Sequence, residues 1–243
     1  PVVELTDVFV LTLHVQSFNL LSAAPALVGA QKNIMPLGID LSMAATAAQW
    51  ACLAAASVQW ASVRAWHSFG SFDNNAIANL ALANKAGIGS VDVYMFPCPG
   101  KDGAEQANAL LQALQGNGSK FGRVWIDIET NPSTGCAWSG GGDGCSFLRE
   151  VTGTLLQGGV QVGVYANHHG WNATVGLDCS IEGEYHLPLW YPHYDGHADT
   201  CSDFTPFGGW TTPAYKQYTD QGGTDPIRKC GVSVDTSTSC GSR

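Results

Sequence analysis

From Leu37 onward the chain alternates short apolar runs with helical runs, and this alternation restricts the fold more than any other feature. Residues 37–41, 60–65, 90–96, 123–129 and 160–166 read as buried strands: short, rich in β-branched and aromatic residues, and bounded by turn residues. Between them, Ala44–Ala56, Asn74–Ala86, Gly103–Gln115 and Ser146–Gln157 read as helices. Gly87 and Gly116 follow the second and third, where a left-handed residue ends a helix without strain. Strands alternating with helices predict a parallel sheet. Beyond residue 166 helical signals become scarce, and 187–191, 214–218 and 231–235 read as three more strands joined by Gly/Pro-rich loops. Five β/α units and three strands supply enough strands to close a barrel. The expected fold class is α/β, a TIM-barrel-like (β/α)-barrel over residues 37–243.

Residues 1–36 break the pattern and form a separate N-terminal extension. Val8–Val15 is β-prone, and 20–30 resembles the end of a signal peptide with small residues before Ala30. Against a leader stand the missing basic region and the early acids Glu4 and Asp7. Three fates stay open: removal as a leader, packing on the barrel, or docking on another copy as a strand that builds a homo-oligomer or filament.

Eight cysteines, at 52, 98, 136, 145, 179, 201, 230 and 240, form no C-x-x-C pair, so a zinc site is not expected. The even number points to disulfides and an oxidising compartment. Connectivity stays open, with Cys136–Cys145 and Cys230–Cys240 as candidate local staples. The sequons at Asn117 and Asn172 agree with secretion, whereas Asn131 is ruled out by Pro132. Eleven scattered Lys and Arg against twenty acids exclude a nucleic-acid surface. No apolar run is long enough for a membrane helix.

The segment 125–129, Trp-Ile-Asp-Ile-Glu, carries the chemistry. Side chains two apart on a strand share a face. Trp125, Asp127 and Glu129 therefore point one way, while Val124, Ile126 and Ile128 point toward the helices. At the C-terminal end of a barrel strand, two acids with α-carbons roughly 6–7 Å apart lie where such folds place active sites. Crowding raises the pKa of one, leaving a proton donor beside an anion, as glycoside hydrolysis requires. A D-x-E pattern alone is common. Its weight comes from two further acids at expected strand ends, Asp40 and Asp235, since acids are avoided in apolar interiors unless paired or functional.

Together these blocks resemble glycoside hydrolase family 25, the lysozymes that cut bacterial peptidoglycan, and most closely the secreted forms of invertebrates and protists. The matching blocks are residues 38–42, 63–66, 91–97, 125–129, 163–166, 189–190, 216–218 and 232–235. They occur in order across nearly all of 37–243. The resemblance implies hydrolysis, with retention, of the β-1,4 bond between N-acetylmuramic acid and N-acetylglucosamine in peptidoglycan glycan strands. It places Glu129 as general acid. Asp127 is its partner, either assisting the substrate's acetamido group or acting as nucleophile. Asp40 and Asp235 are further acids of the site. Tyr94, Tyr165, Trp190 and Gln217 lie near the sugar, and Arg64 either joins them or neutralises the acids. No metal or cofactor is implied. The expected setting is extracellular or a digestive, lysosome-like lumen.

His67, His168 and His169 read as surface or loop residues, and Trp138 and Trp171 as loop packing. A family 18 chitinase is disfavoured because Trp125 stands where its D-x-D-x-E motif needs the first Asp. The alternative from another class is a structural protein on a lysozyme fold, self-assembling through residues 1–36, since a fold does not guarantee activity.

Overall fold

A computed structural model of the chain describes residues 36–198, 201–220, 222–223 and 225–241. Apart from Pro36, the N-terminal extension and its expected strand at Val8–Val15 lie outside the described residues.

Local sequence explains where the helices start and stop. In α1 (Ala47–Ala55), Thr46 caps the first turn: its hydroxyl accepts from the Gln49 N–H, and the Gln49 side chain accepts from the Thr46 N–H. Gly87 ends α2 (Asn75–Ala86) in the left-handed conformation, with φ 83°. Asp102 caps α3 (Gly103–Gly116) by accepting from the Glu105 N–H at 2.7 Å. Helix α4 (Gly141–Gln157) begins five residues before the expected Ser146, within a Gly-rich stretch whose local propensity favours a loop. Two short helices, α5 (His168–Thr174) and α6 (Ile181–Tyr185), occupy the region where helical signals are scarce.

Nine strands are present among the described residues: β1 (Leu37–Leu41), β2 (Val58–His67), β3 (Ser71–Phe72), β4 (Ser90–Met95), β5 (Arg123–Asp127), β6 (Gln161–Tyr165), β7 (Leu189–Pro192), β8 (Tyr215–Thr219) and β9 (Asp235–Ser239). The two-residue β3 hangs from the edge of β2. The other eight form a closed ring in the order β1-β9-β8-β7-β6-β5-β4-β2, with β1 pairing back onto β2. All of them run parallel except β9, which is antiparallel to both β1 and β8.

Strand β9 corrects the sequence expectation. The expected strand at 231–235 is instead, up to Val234, the loop that follows a 3-10 turn (Ile227–Cys230), and pairing starts at Asp235. The β-branched pattern of 232–234 suits a strand, but Val232 and Val234 spend it on core packing. Asp235 thus opens an antiparallel strand rather than closing a parallel one. Because β9 runs the opposite way, its beginning lies at the same barrel end as the C-termini of its neighbours, and Asp235 pairs directly across from Asp40.

Each strand divides its side chains between two cores. Ile39, Val63, Val93, Val124, Ile126 and Ile128 pack outward against Leu53, Leu80, Leu110, Leu114, Leu148 and Leu155 of the helices. Inward, Trp60, Trp125, Tyr165, Trp190 and Tyr215 plug the lumen. Trp60 stacks on Tyr215 at 4.8 Å, and Trp190 meets Trp60 edge-on at 5.0 Å. Two glycines make room for this plug. A Cβ on Gly38 would stand 2.2 Å from the Trp60 ring, and one on Gly163 2.4 Å from the Trp125 ring. No described helix is long and apolar enough to cross a membrane.

All eight cysteines are paired, as Cys52–Cys230, Cys98–Cys136, Cys145–Cys179 and Cys201–Cys240. Neither local staple, Cys136–Cys145 or Cys230–Cys240, exists. Barrel closure brings loops of neighbouring strands closer than chain neighbours: Cys98 follows β4 and Cys136 follows β5, with α-carbons 4.6 Å apart.

Candidate active site

Above the aromatic plug, at the C-terminal ends of the parallel strands, lies a cleft of about 130 Å³. Four carboxylates line it: Asp40 from β1, Asp127 from the last position of β5, Glu129 two residues beyond, and Asp235 from the start of β9. Tyr94, Tyr165, Trp190 and Gln217 complete the lining, joined by Tyr194.

The strand period explains most of this. Trp125 is fully buried in the plug, and Asp127, two residues on, enters the cleft above it. Strand β5 stops at Asp127, short of the expected Glu129, although the Ile128 N–H still reaches the Tyr165 carbonyl at 2.8 Å. Glu129 is therefore held by a loop and keeps a face open to solvent.

A hydrogen-bond network orders the opposite wall. The Gln217 amide donates to Asp40 Oδ2 at 2.7 Å and to Asp235 Oδ2 at 3.5 Å. Its oxygen accepts from the Tyr165 hydroxyl at 2.6 Å and the Tyr194 hydroxyl at 3.0 Å. Gln217 is thus fixed in orientation by phenols on one side and carboxylates on the other. Trp190 forms floor rather than wall: it is 2% exposed, and its indole N–H donates to Ser237 Oγ.

Asp127 differs from Asp40. Its Oδ1 is buried and has no hydrogen-bond partner among the described residues. A buried, unpaired carboxylate oxygen is costly, so its presence marks a function or an absent partner.

The electrostatics follow from crowding. Burial pushes the Asp40 carboxyl well above the usual range, Asp235 adds to the rise, the Gln217 bond opposes it, and Glu129 adds again. Burial likewise raises Asp127 well above that range, reinforced by Glu129 and then Asp40. Desolvation raises Glu129 too, although part of it meets solvent, because its inner side is enclosed by the barrel mouth. The phenols of Tyr94 and Tyr165 are also driven up, first by burial, so both remain hydrogen-bond donors. The cleft can thus hold a proton on one carboxyl beside an anionic neighbour.

Arg64 stands apart from the cleft lining. Its Nε lies 2.9 Å from Asp73, a buried acid at the start of α2 that also accepts from the Asn75 N–H. The cation is therefore paired outside the four-acid group. Trp171 is fully buried against Phe207 and Trp210. Trp138 packs on Phe147, as loop packing requires, and its indole N–H also donates to the Glu129 carbonyl at 2.9 Å. His67 sits 3.6 Å from Asp73, and His168 and His169 are exposed on α5. Asn117 and Asn172 are exposed.

No local pattern points to Tyr194, which lies in a loop of mixed polar residues without periodicity. Behind it, His193, Asp195 and Asp203 bring ligand atoms within 4.8 Å of one another, a spacing that could hold a cation. A cation is already there: the fully buried Lys216 ammonium lies 2.7 Å from Asp195 and 3.5 Å from Asp203. Lys216 and Gln217, adjacent on β8, thus grip the loop carrying Tyr194 from the outside and inside of the barrel.

Comparison with known proteins agrees with this architecture. A family model described as "Lysozyme-like protein 1" matches residues 31–218. The "Probable GH family 25 lysozyme 2" of Dictyostelium discoideum is 38% identical over 82% of this chain and 88% of its own length. "Counting factor 50" of the same organism is 36% identical over 81% of this chain and 62% of its own length. Among solved structures, the muramidase from Acremonium alcalophilum superimposes with a TM-score of 0.65, covering 85% of this chain and 94% of that one at 18% identity. With the closed barrel, the matched span and the level of identity in agreement, the chain belongs to the glycoside hydrolase family 25 lysozymes.

Proposed function

We propose that the chain hydrolyses the β-1,4 bond between N-acetylmuramic acid and N-acetylglucosamine in peptidoglycan, with Glu129 as general acid and Asp127 as its partner. The observation that carries this reading is the unpaired Oδ1 of Asp127 beside Glu129, whose own carboxyl is raised by burial. Glu129, its carboxyl raised by burial, keeps its proton to higher pH than an ordinary glutamate and delivers it to the leaving glycosidic oxygen. Asp127 either orients and charges the substrate's acetamido group as it closes on the anomeric carbon or attacks that carbon itself. Glu129, now anionic, then takes a proton from the water that completes the reaction with retention. Asp40 and Asp235, steered by Gln217, complete the acid cluster, and Tyr94, Tyr165 and Tyr194 offer hydroxyls to the sugar.

A relative named Counting factor 50 carries no lysozyme name, so family membership alone does not decide activity. The four acids favour an enzyme here. In the same reading the catalytic barrel begins at Leu37, and residues 1–36, if retained, dock on a second copy. The four disulfides and the exposed Asn117 and Asn172 support a secreted glycoprotein.

The decisive experiment is a peptidoglycan turbidity assay on Glu129→Gln. The amide keeps the shape and cannot donate the proton, so turnover falls by about a hundred- to ten-thousand-fold while the melting temperature holds. Near wild-type turnover in a normally melting variant refutes the assignment.

A further inference from the structure

Glu129 lies past the end of β5, so the sheet does not aim it. A proton donor misplaced by an ångström loses on the order of a hundredfold in rate, so something else must hold this loop. Its backbone carbonyl accepts the Trp138 indole N–H at 2.9 Å, which closes the segment 129–138 into a ring through a side chain. Trp138 is anchored in turn, edge-on to Phe147 of α4 at 5.7 Å.

Two residues beyond Glu129, Asn131 is 8% exposed and braces three loops. Its amide donates to the Ser68 carbonyl after β2 at 2.8 Å and to the Pro97 carbonyl after β4 at 2.9 Å. Its oxygen accepts from the Ser133 N–H at 2.8 Å, and the Ser133 and Ser68 hydroxyls are bonded at 2.8 Å. The Cys98–Cys136 disulfide joins the same loops, and the backbones of Gly100 and Gly135 touch so closely that a Cβ on Gly100 would lie 1.7 Å from the Gly135 carbonyl oxygen.

We propose that Trp138 and Asn131 are positioning residues for the reaction, Trp138 by fixing the Glu129 backbone and Asn131 by locking its loop to those after β2 and β4. Neither needs to touch substrate. The inference rests on Glu129 being the acid. A purely structural brace would change melting and leave the kinetics of the folded fraction alone. A positioning brace lowers kcat with KM nearly unchanged, and it shifts the pH profile, because a carboxyl freed toward water loses the desolvation that raises it.

The test is Trp138→Phe in the full chain, which keeps an aromatic ring against Phe147 and removes the N–H together with part of the indole. The expected result is a roughly tenfold lower kcat, KM within about twofold of wild type, and an alkaline limb moved to lower pH. Ser133→Ala, which removes the hydroxyl link to Ser68, gives the same changes in smaller measure and carries the test if Trp138→Phe does not fold. Wild-type kcat and pH profile in the folded variants, with Glu129→Gln inactive, overturns the positioning role alone. An active Glu129→Gln overturns the assignment of the acid and the positioning role with it.

Discussion

The barrel lumen buries a carboxylate at each end and treats the two in opposite ways. At the lower end Asp92, 4% exposed, accepts from the Trp60 and Trp125 indoles at 2.8 and 2.9 Å and from the Arg123 N–H at 2.9 Å. At the upper end Asp127, 6% exposed, has an oxygen with no partner among the described residues and faces other acids. The aromatic plug lies between them, and Trp125 belongs to both stories: its nitrogen anchors to Asp92, and its strand carries Asp127 upward. Burial alone therefore does not distinguish a structural acid from a reactive one. The distinction is whether the fold supplies donors. A fully satisfied carboxylate rigidifies its surroundings, whereas a deprived one, on the function proposed above, is left for a substrate.

Exchanging one acid at each end tests this contrast. The largest effect is expected from Asp127→Asn, which removes the anion and lowers peptidoglycan hydrolysis by about a hundredfold or more. The same variant gains stability at neutral pH, because the amide relieves repulsion and adds a donor among carboxylates. At about 2–4 °C per kcal/mol for a chain of this size, a rise of a few degrees in thermal melting is expected. A variant both less stable and fully active would erase the contrast.

Asp92→Asn should do the reverse. The amide retains one acceptor oxygen but turns an NH₂ group toward existing donors. With the oxygen kept under the two indoles, the bond from the Arg123 N–H is lost, and at about 1–3 kcal/mol this lowers the melting temperature by roughly 2–12 °C while turnover of the folded enzyme stays near wild type. Differential scanning calorimetry beside the turbidity assay reads both. Unchanged melting would show that the plug does not depend on Asp92.

The smallest effect sharpens the comparison through pH. A carboxyl whose pKa is raised by folding contributes stability that is complete below its unfolded value, about 3.9 for Asp, and lost as pH rises through the folded value. The melting advantage of Asp127→Asn over wild type should therefore be greatest at neutral pH and shrink as pH falls toward 4. Shifts in the other direction, such as that of Glu184 beside Arg149, are common to both proteins and cancel in the difference. A difference independent of pH would remove electrostatic crowding as its cause.

Much of the fold was legible because its signals are local. The apolar runs located the parallel strands to within a few residues, and the two-residue period sent Val124, Ile126 and Ile128 outward and Trp125 and Asp127 inward. The glycine after α2 marked its end. Other features have no local signal. Asp92 looks like any strand acid until two indoles converge on it. Tyr194 enters the cleft only because its loop is held to β8. The start of α4 runs against glycine propensity, and 231–235 shows a strand pattern that packing against the core absorbs.

Sequence by itself determined the alternation of the first strands with α1 to α4, the face that β5 residues take, and which acids stand near strand ends, since these follow from chirality, periodicity and capping within a few residues. Tertiary structure alone decided the cysteine pairing, the satisfaction of Asp92 against the deprivation of Asp127, and the meeting of Asp40 with Asp235. That meeting depends on β9 running antiparallel between β1 and β8, so that the start of one strand lies beside the end of another. Closing a ring couples residues nearly the whole chain apart, and no pattern within a few residues encodes which of them will face each other.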